Sequence, residues 1–254
     1  EGQLASVALM DARSIAATAV NGGLLTAANE LGGKPVSKVV YQFDRKVYQN
    51  RVYEGYGKAL PEIELKFGPN ITDWPEMIPL PENLLLKMVS VITDPVTTTD
   101  ELIPSGDTSS YRSNPLKLAE FTLSRKDPGY VQRAKNLDQL EKERRSLKEV
   151  RQMSAALLEV FGALAKIAGE EPEKLAEQTG LGSTIFAVKP GDGSAREQAA
   201  SCQKVLGGWS NIAVEYATKR YRSNLINWGM IPFTIAPADQ GKMVLNAFIY
   251  IPGI

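Results

Sequence analysis

Thr184-Ile-Phe-Ala-Val188, continuing through Lys-Pro-Gly-Asp-Gly into Ser194-Ala-Arg196-Glu197, is the stretch on which the fold turns. A β-branched apolar run delivers the chain to Gly191 and Gly193, and Ser194 opens a helical pattern that runs to Leu206 and stops at Gly207-Gly208. The alternation continues downstream. Asn211-Ile-Ala-Val-Glu215 predicts a strand, Lys219 to Trp228 a helix closed by Gly229, and Met243 to Ile251 a third strand. Strands alternating with helices imply an α/β layered domain with parallel pairing. At the turn, glycines permit tight backbone and close approach. The free N–H groups of a helix start favour an anion, and Arg196 adds a fork suited to a carboxylate. The residues therefore allow an anion cradle centred on the Ser194 hydroxyl. They equally allow a plain capping box, with Ser194 as N-cap and Glu197 three residues on.

Working outward, Leu85 to Thr93 reads as a strand leading into Thr97-Thr-Thr-Asp100-Glu-Leu-Ile-Pro-Ser-Gly106, a strand end followed by a turn. Arg112 lies twelve residues past Asp100. Apolar residues at three- and four-residue steps (Leu137, Leu140, Leu147, Val150, Leu157, Phe161, Leu164, Ala168) predict one long helix from about 136 to 168. Its charged run, Glu141 to Arg145, reads as a solvated, ion-paired face. Towards the N-terminus, 11–21 predicts a helix capped by Asp11, with Ile15, Ala16, Ala19 and Val20 on one face. Lys38 to Gly55 and Ile63 to Phe67 carry strand patterns, and Pro69, Pro75, Pro79 and Pro81 mark an irregular connection.

Composition narrows the chemistry. The 254 residues carry 29 basic and 29 acidic side chains, which is not the field of a dedicated nucleic-acid binder. Histidine is absent, so histidine–serine and histidine–zinc chemistry is excluded for this polypeptide. Cys202 is the one cysteine, too few for a disulfide, a zinc tetrahedron or an iron–sulfur cluster, and suits a reducing, cytoplasmic setting. No segment reaches the ~20 apolar residues of a membrane span. The start at Glu1 reads as a truncation, with a longer natural protein upstream.

Taken together, Thr98-Thr-Asp100-x-x-x-Pro-x-Gly106, Arg112, Gly191-Asp-Gly-Ser194-Ala-Arg196-Glu-Gln-Ala-Ala200, Leu206-Gly-Gly, Tyr216 to Leu225 and Gly229-Met-Ile-Pro-Phe233 arrive in an order that resembles the fourth, swivel domain of the aconitase superfamily. Asp11-Ala-Arg-Ser-Ile-Ala-Ala-Thr18 also resembles the end of the region preceding it. The resemblance implies an α/β, aconitase swivel-domain-like layered β/β/α domain with a long helical insertion. It divides the chain into 1–60, a remnant of the cluster-bearing region plus linker, and 61–254, the swivel domain with its insertion at about 115–180. It implies a hydro-lyase acting on a hydroxy-polycarboxylic acid, with a [4Fe–4S] cluster ligated outside this chain and upstream cluster-bearing domains as partners. By motif, Ser194 takes the role of proton-abstracting base, Asp100 that of an active-site acid, and Arg112 and Arg196 those of substrate-carboxylate arginines; no residue here takes that of a metal ligand. The fragment alone is expected to be inactive. The family's second serine is Ala195 here, and two of its histidines are Gln198 and Glu101, so the substrate is expected to differ from citrate. A second reading keeps the fold without the catalysis, as a regulatory or RNA-binding relative, and rests on those substitutions and the charged helix near 141–151. A third, a generic anion- or nucleotide-binding module, rests on Gly191 to Ser194 and Gly55-Tyr-Gly57.

Overall fold

The computed structural model describes residues 7–31, 40–49, 57–64, 66–150 and 152–254. The chain divides into two units, Glu1–Glu64 and Leu65–Ile254.

In the first unit, helix α1 (Ala12–Val20) starts where the sequence places it, with the Asp11 carboxylate accepting from the Arg13 and Ser14 amides at 2.9 and 3.2 Å. The expected apolar face is turned outward: Ile15, Ala16, Ala19 and Val20 are exposed, and Ala17 is buried instead. Two hydroxyls decide this. Thr18 Oγ1 accepts from the Thr26 amide at 3.1 Å, and Ser14 Oγ from Ala28 at 3.2 Å, so the polar side of the helix meets the returning chain. The strand expected over Lys38 to Gly55 gives way, at 45–49, to a short helix α2 (Arg45–Gln49). Its start is capped by Asp44, whose carboxylate accepts from the Lys46 amide at 2.9 Å. Residues 38, 39 and 50–56, which include Gly55 and Tyr56, lie outside the described residues. The described residues of 63–67 form no strand.

The second unit is built on a five-stranded sheet. Its strands are β1 (Asn83–Ile92), β3 (Thr179–Ala187), β5 (Gly208–Ala213), β6 (Ile231–Thr234) and β7 (Phe248–Ile251), in the order β6-β5-β3-β1-β7. The first four run parallel, and β7 closes the edge antiparallel to β1. A separate two-stranded parallel ladder joins β2 (Thr97–Thr98) to β4 (Pro190–Asp192). Helices α3 (Thr99–Leu102), α4 (Pro115–Ala119), α5 (Tyr130–Val150), α6 (Ala155–Ala168), α7 (Pro172–Gln178), α8 (Arg196–Val205) and α9 (Lys219–Asn227) complete the unit, which is α/β as the alternation implies.

Parallel strands are covered on both faces, so β1 and β3 are buried almost throughout. Leu85 and Leu181 meet Leu137, Leu157, Phe161 and Leu164 of α5 and α6. On the opposite face Leu84 and Leu86 meet Trp209, Ile78 and Leu80. A bulge between Met88 and Ser90 then changes the parity of β1. Val89 and Ile92, three residues apart, share one cluster, whereas Met88 and Val91 share another. Helix α5 and the loop before it secure the bulge, since Arg133 Nε of α5 donates to the Val89 carbonyl at 2.7 Å and Ser90 Oγ donates to Asp127 of that loop at 2.6 Å.

Strand β3 begins five residues before the expected Thr184, across Thr179-Gly-Leu-Gly-Ser183. Two glycines there weaken the strand signal, but a Cβ at Gly180 or Gly182 would lie 2.5 or 2.3 Å from the Trp209 ring. The third strand is shorter than expected because Asn246, at φ 68°, turns the chain just before β7. The single helix expected over 136–168 is two helices. Ser154 Oγ accepts from the Leu157 amide at 3.3 Å and so starts α6 afresh. Nor is the charged run on α5 wholly solvated. Glu141 is 2% exposed, pairs with Arg144 at 2.7 Å, and accepts from the Leu181 amide at 2.8 Å, bolting α5 to the start of β3. The proline-bearing connection is irregular as expected; Lys204 Nζ, donating to the Ile78 carbonyl at 3.0 Å, and the Trp74–Trp228 ring pair, 4.7 Å between centroids, hold it to the domain.

Candidate active site at the start of helix α8

The β2–β4 ladder brings two distant motifs together. Thr97 pairs with Pro190 and Thr98 with Asp192, and the Thr97 amide donates to the Lys189 carbonyl at 3.0 Å. Two residues beyond the last pair, one chain reaches Asp100 and the other Ser194. The contact is tight, because a Cβ on Gly193 would lie 2.1 Å from Thr99 Oγ1. Gly191 faces the Tyr221 ring just as closely. The sequence reading gave these glycines to ligand approach, but the groups that approach them are Thr99 and Tyr221 of the same chain. Tyr221 is fixed in turn, its hydroxyl accepting from Gln203 Nε2 at 3.0 Å and Asn211 Nδ2 at 2.8 Å.

The choice at Ser194 is decided geometrically. Helix α8 has Ala195 as its N-cap and no side-chain cap, so the capping box does not form. Ser194 stands one residue outside the helix, exposed, with no hydrogen bond to its hydroxyl among the described residues. Arg196 occupies the first helical position; its Nε is buried without a partner, and the side chain forms no ion pair among the described residues. Uncapped first-turn N–H groups and an unpaired guanidinium together make a place where negative charge is stabilised. Ala195, half-buried, packs against the core cluster that holds Leu118 and Ala119 of α4 and Ala199 and Ala200 of α8.

Across the ladder, the capping box that the sequence offered at Ser194 forms at Thr98 instead. Thr98 Oγ1 accepts from the Glu101 amide at 3.2 Å, and the Glu101 carboxylate accepts from the Thr98 amide at 2.7 Å. Burial works to raise the Glu101 pKa. The hydrogen bonds from Thr98 and Lys126, with the charge of Lys126, outweigh it and hold the carboxyl below its ordinary 4.5. A carboxylate with a depressed folded pKa stabilises the fold above its unfolded pKa and loses that contribution as pH falls through the folded one. Wild-type chain is therefore expected to lose its stability advantage over Glu101→Gln below pH 4.5. Urea unfolding of both from pH 7 to 3 checks this, and a constant difference across that range counts against it.

Asp100 lies exposed on α3 and pairs with Arg125 at 2.6 Å. Arg112 is exposed at the end of a 3-10 turn (Ser109–Tyr111), three residues before α4, with no ion-pair partner among the described residues. The ladder thus joins Ser194, Arg196 and Asp100, while no contact of the Arg112 side chain ties it to them. Arg125 is the residue that sequence reading missed, since it lies within the stretch read as an insertion and in no motif.

Among the described residues no helix is long and apolar enough to cross a membrane, and no three His, Cys, Asp or Glu side chains are placed to hold a metal. Cys202 is 1% exposed inside the core, and burial pushes its thiol up to about 12. Such a thiol remains protonated and does not fit a cluster ligand.

The family model for the aconitase C-terminal domain matches residues 177–238, which include β3 through β6, Ser194 and Arg196 but neither Asp100 nor Arg112. No curated protein matches the chain.

Proposed function

From an aconitase C-terminal domain over this segment, we propose that the chain is the substrate-closing part of a hydratase acting on a hydroxy-polycarboxylic acid, with Ser194 as the proton-abstracting base. The observation that carries the reading is the Ser194 hydroxyl beside an uncapped helix start and Arg196, neither side chain having a hydrogen-bond or ion-pair partner among the described residues. A [4Fe–4S] cluster in such an enzyme would be ligated outside this chain.

A serine hydroxyl is a weak base unless positive charge stabilises the alkoxide. The N–H groups at the start of α8 and the Arg196 guanidinium supply that stabilisation without the local reorganisation that bulk water would need. Arg196, by a bidentate bond, fixes one substrate carboxylate so that the carbon beside it faces Ser194 Oγ. In dehydration the Ser194 alkoxide takes the proton from that carbon and becomes the hydroxyl, the C–H electron pair forms the C=C bond, and hydroxide leaves the neighbouring carbon; hydration reverses each of these changes. Arg112, exposed and unpaired, serves a second carboxylate when the domain closes on the rest of the enzyme.

Arg196→Lys tests the reading, because lysine keeps the charge and loses the fork. In the cluster-bearing full-length protein it should lower kcat/KM for hydration about 10- to 100-fold. Equal rates on every member of a panel of unsaturated polycarboxylates would set the assignment aside.

A further inference from the structure

The loop between α4 and α5 carries two consecutive cations, and each reaches a different one of two consecutive acids. Arg125 bonds Asp100 at 2.6 Å and also pairs with Asp107, while Lys126 bonds Glu101 at 3.2 Å and Asp94 at 2.9 Å. We propose that this loop is an electrostatic clamp that positions the Asp100–Glu101 carboxylates, with Arg125 the positioning residue for Asp100 and Lys126 for Glu101. The part played by Asp100 in catalysis rests on the function proposed above.

Three further features show that the loop is aimed. Leu123 is fully buried yet holds φ 55°, a conformation that a bulky side chain adopts only when its surroundings impose it. Its amide donates to the Leu102 carbonyl at 2.9 Å, which fastens the loop to the end of α3. Asp127 then accepts from Ser90 Oγ at 2.6 Å and from Arg133, which anchors the far side of the loop to β1 and α5. Between these fixed points each cation bridges two carboxylates, Arg125 those of Asp100 and Asp107 and Lys126 those of Glu101 and Asp94.

The clamp also accounts for Glu101 where the resemblance has a histidine. An added carboxylate beside a site for polycarboxylates would repel them. Here its oxygens are taken up by Thr98 and Lys126. Stability alone is a poor reason for the arrangement, because the Arg125 and Asp100 side chains are 50% and 55% exposed, where ion pairs add little.

The test uses Arg125→Gln, Arg125→Lys and Lys126→Gln, with two independent readouts. In the full-length enzyme, Arg125→Gln should lower kcat for hydration about tenfold with KM within about twofold, and Arg125→Lys should recover part of the loss. In the 254-residue chain, both Gln variants should speed hydrogen exchange at the Ile103 and Leu123 amides about tenfold, leaving those of β3 unchanged. Unchanged exchange in both variants overturns the clamp whatever the activity shows. If Ser194→Ala abolishes hydration while Arg125→Gln keeps wild-type kcat, positioning of Asp100 is overturned and the hydratase reading stands. If Ser194→Ala is as active as wild type, the base assignment fails and the exchange result alone decides the clamp.

Discussion

Ser194→Ala in the full-length protein is expected, on the hydratase function we propose, to lower kcat for hydration by about a thousandfold, with KM changed less than about threefold. The size of the effect follows from the setting. On the proposed reading, alanine removes the atom that takes the proton in dehydration and returns it in hydration, and none of the polar groups placed beside it can serve: arginine does not give up its proton, and the N–H groups of α8 have no acceptor lone pair. The loss would not report misfolding, since Ser194 is exposed, outside the helix, and free of hydrogen bonds to its hydroxyl among the described residues. Matching thermal unfolding of variant and wild type checks that point directly. Hydration that persists undiminished across a panel of unsaturated polycarboxylates would show that the base is another residue.

Gly191→Ala should cost about 3 kcal/mol of stability, at the top of the usual range for one added methyl group. Two penalties act at once. Gly191 holds φ 95°, a conformation in which an L side chain is strained. The new Cβ would also lie 2.4 to 2.5 Å from Tyr221 ring and Cβ atoms. That ring cannot swing aside cheaply, because it is fully buried and its hydroxyl holds Gln203 and Asn211. Denaturant unfolding of the chain measures the change; a loss below about 1 kcal/mol would mean that the ring moves freely. The same variant should impair the site, since Gly191 lies in β4, which carries the chain to Ser194.

Much of this was written in the sequence. Apolar runs followed by glycine stops at 207 and 229 marked two parallel strands and their helices, because a strand buried on both faces leaves a continuous apolar signal. Asp11 announced α1; the glycines at 191 and 193, expected in a tight turn, hold positive φ, with Gly191 inside β4. The ordered motifs pointed to the family that matches residues 177–238. The lone Cys202 and the absence of histidine bounded the chemistry by counting.

Tertiary structure decided the rest, and always by contact between residues far apart in the chain. Gly180 and Gly182 argue locally against a strand; only the Trp209 ring lying across them explains why β3 needs them. Ile15 and Val20 look like a core face until Thr18 and Ser14 take the inward side by bonding the returning chain. Ser194 and Thr98 were both credible caps by pattern. The β2–β4 ladder leaves the Thr98 hydroxyl facing the start of its own helix, whereas Ser194 stops one residue short of α8 with its hydroxyl unclaimed. Arg125 had no local signature at all, because a clamp on Asp100 twenty-five residues away is a property of the folded loop. Local sequence sets period, stops and residue chemistry; which hydroxyl is used up, which is left free, and which charge faces which acid depend on packing across the fold.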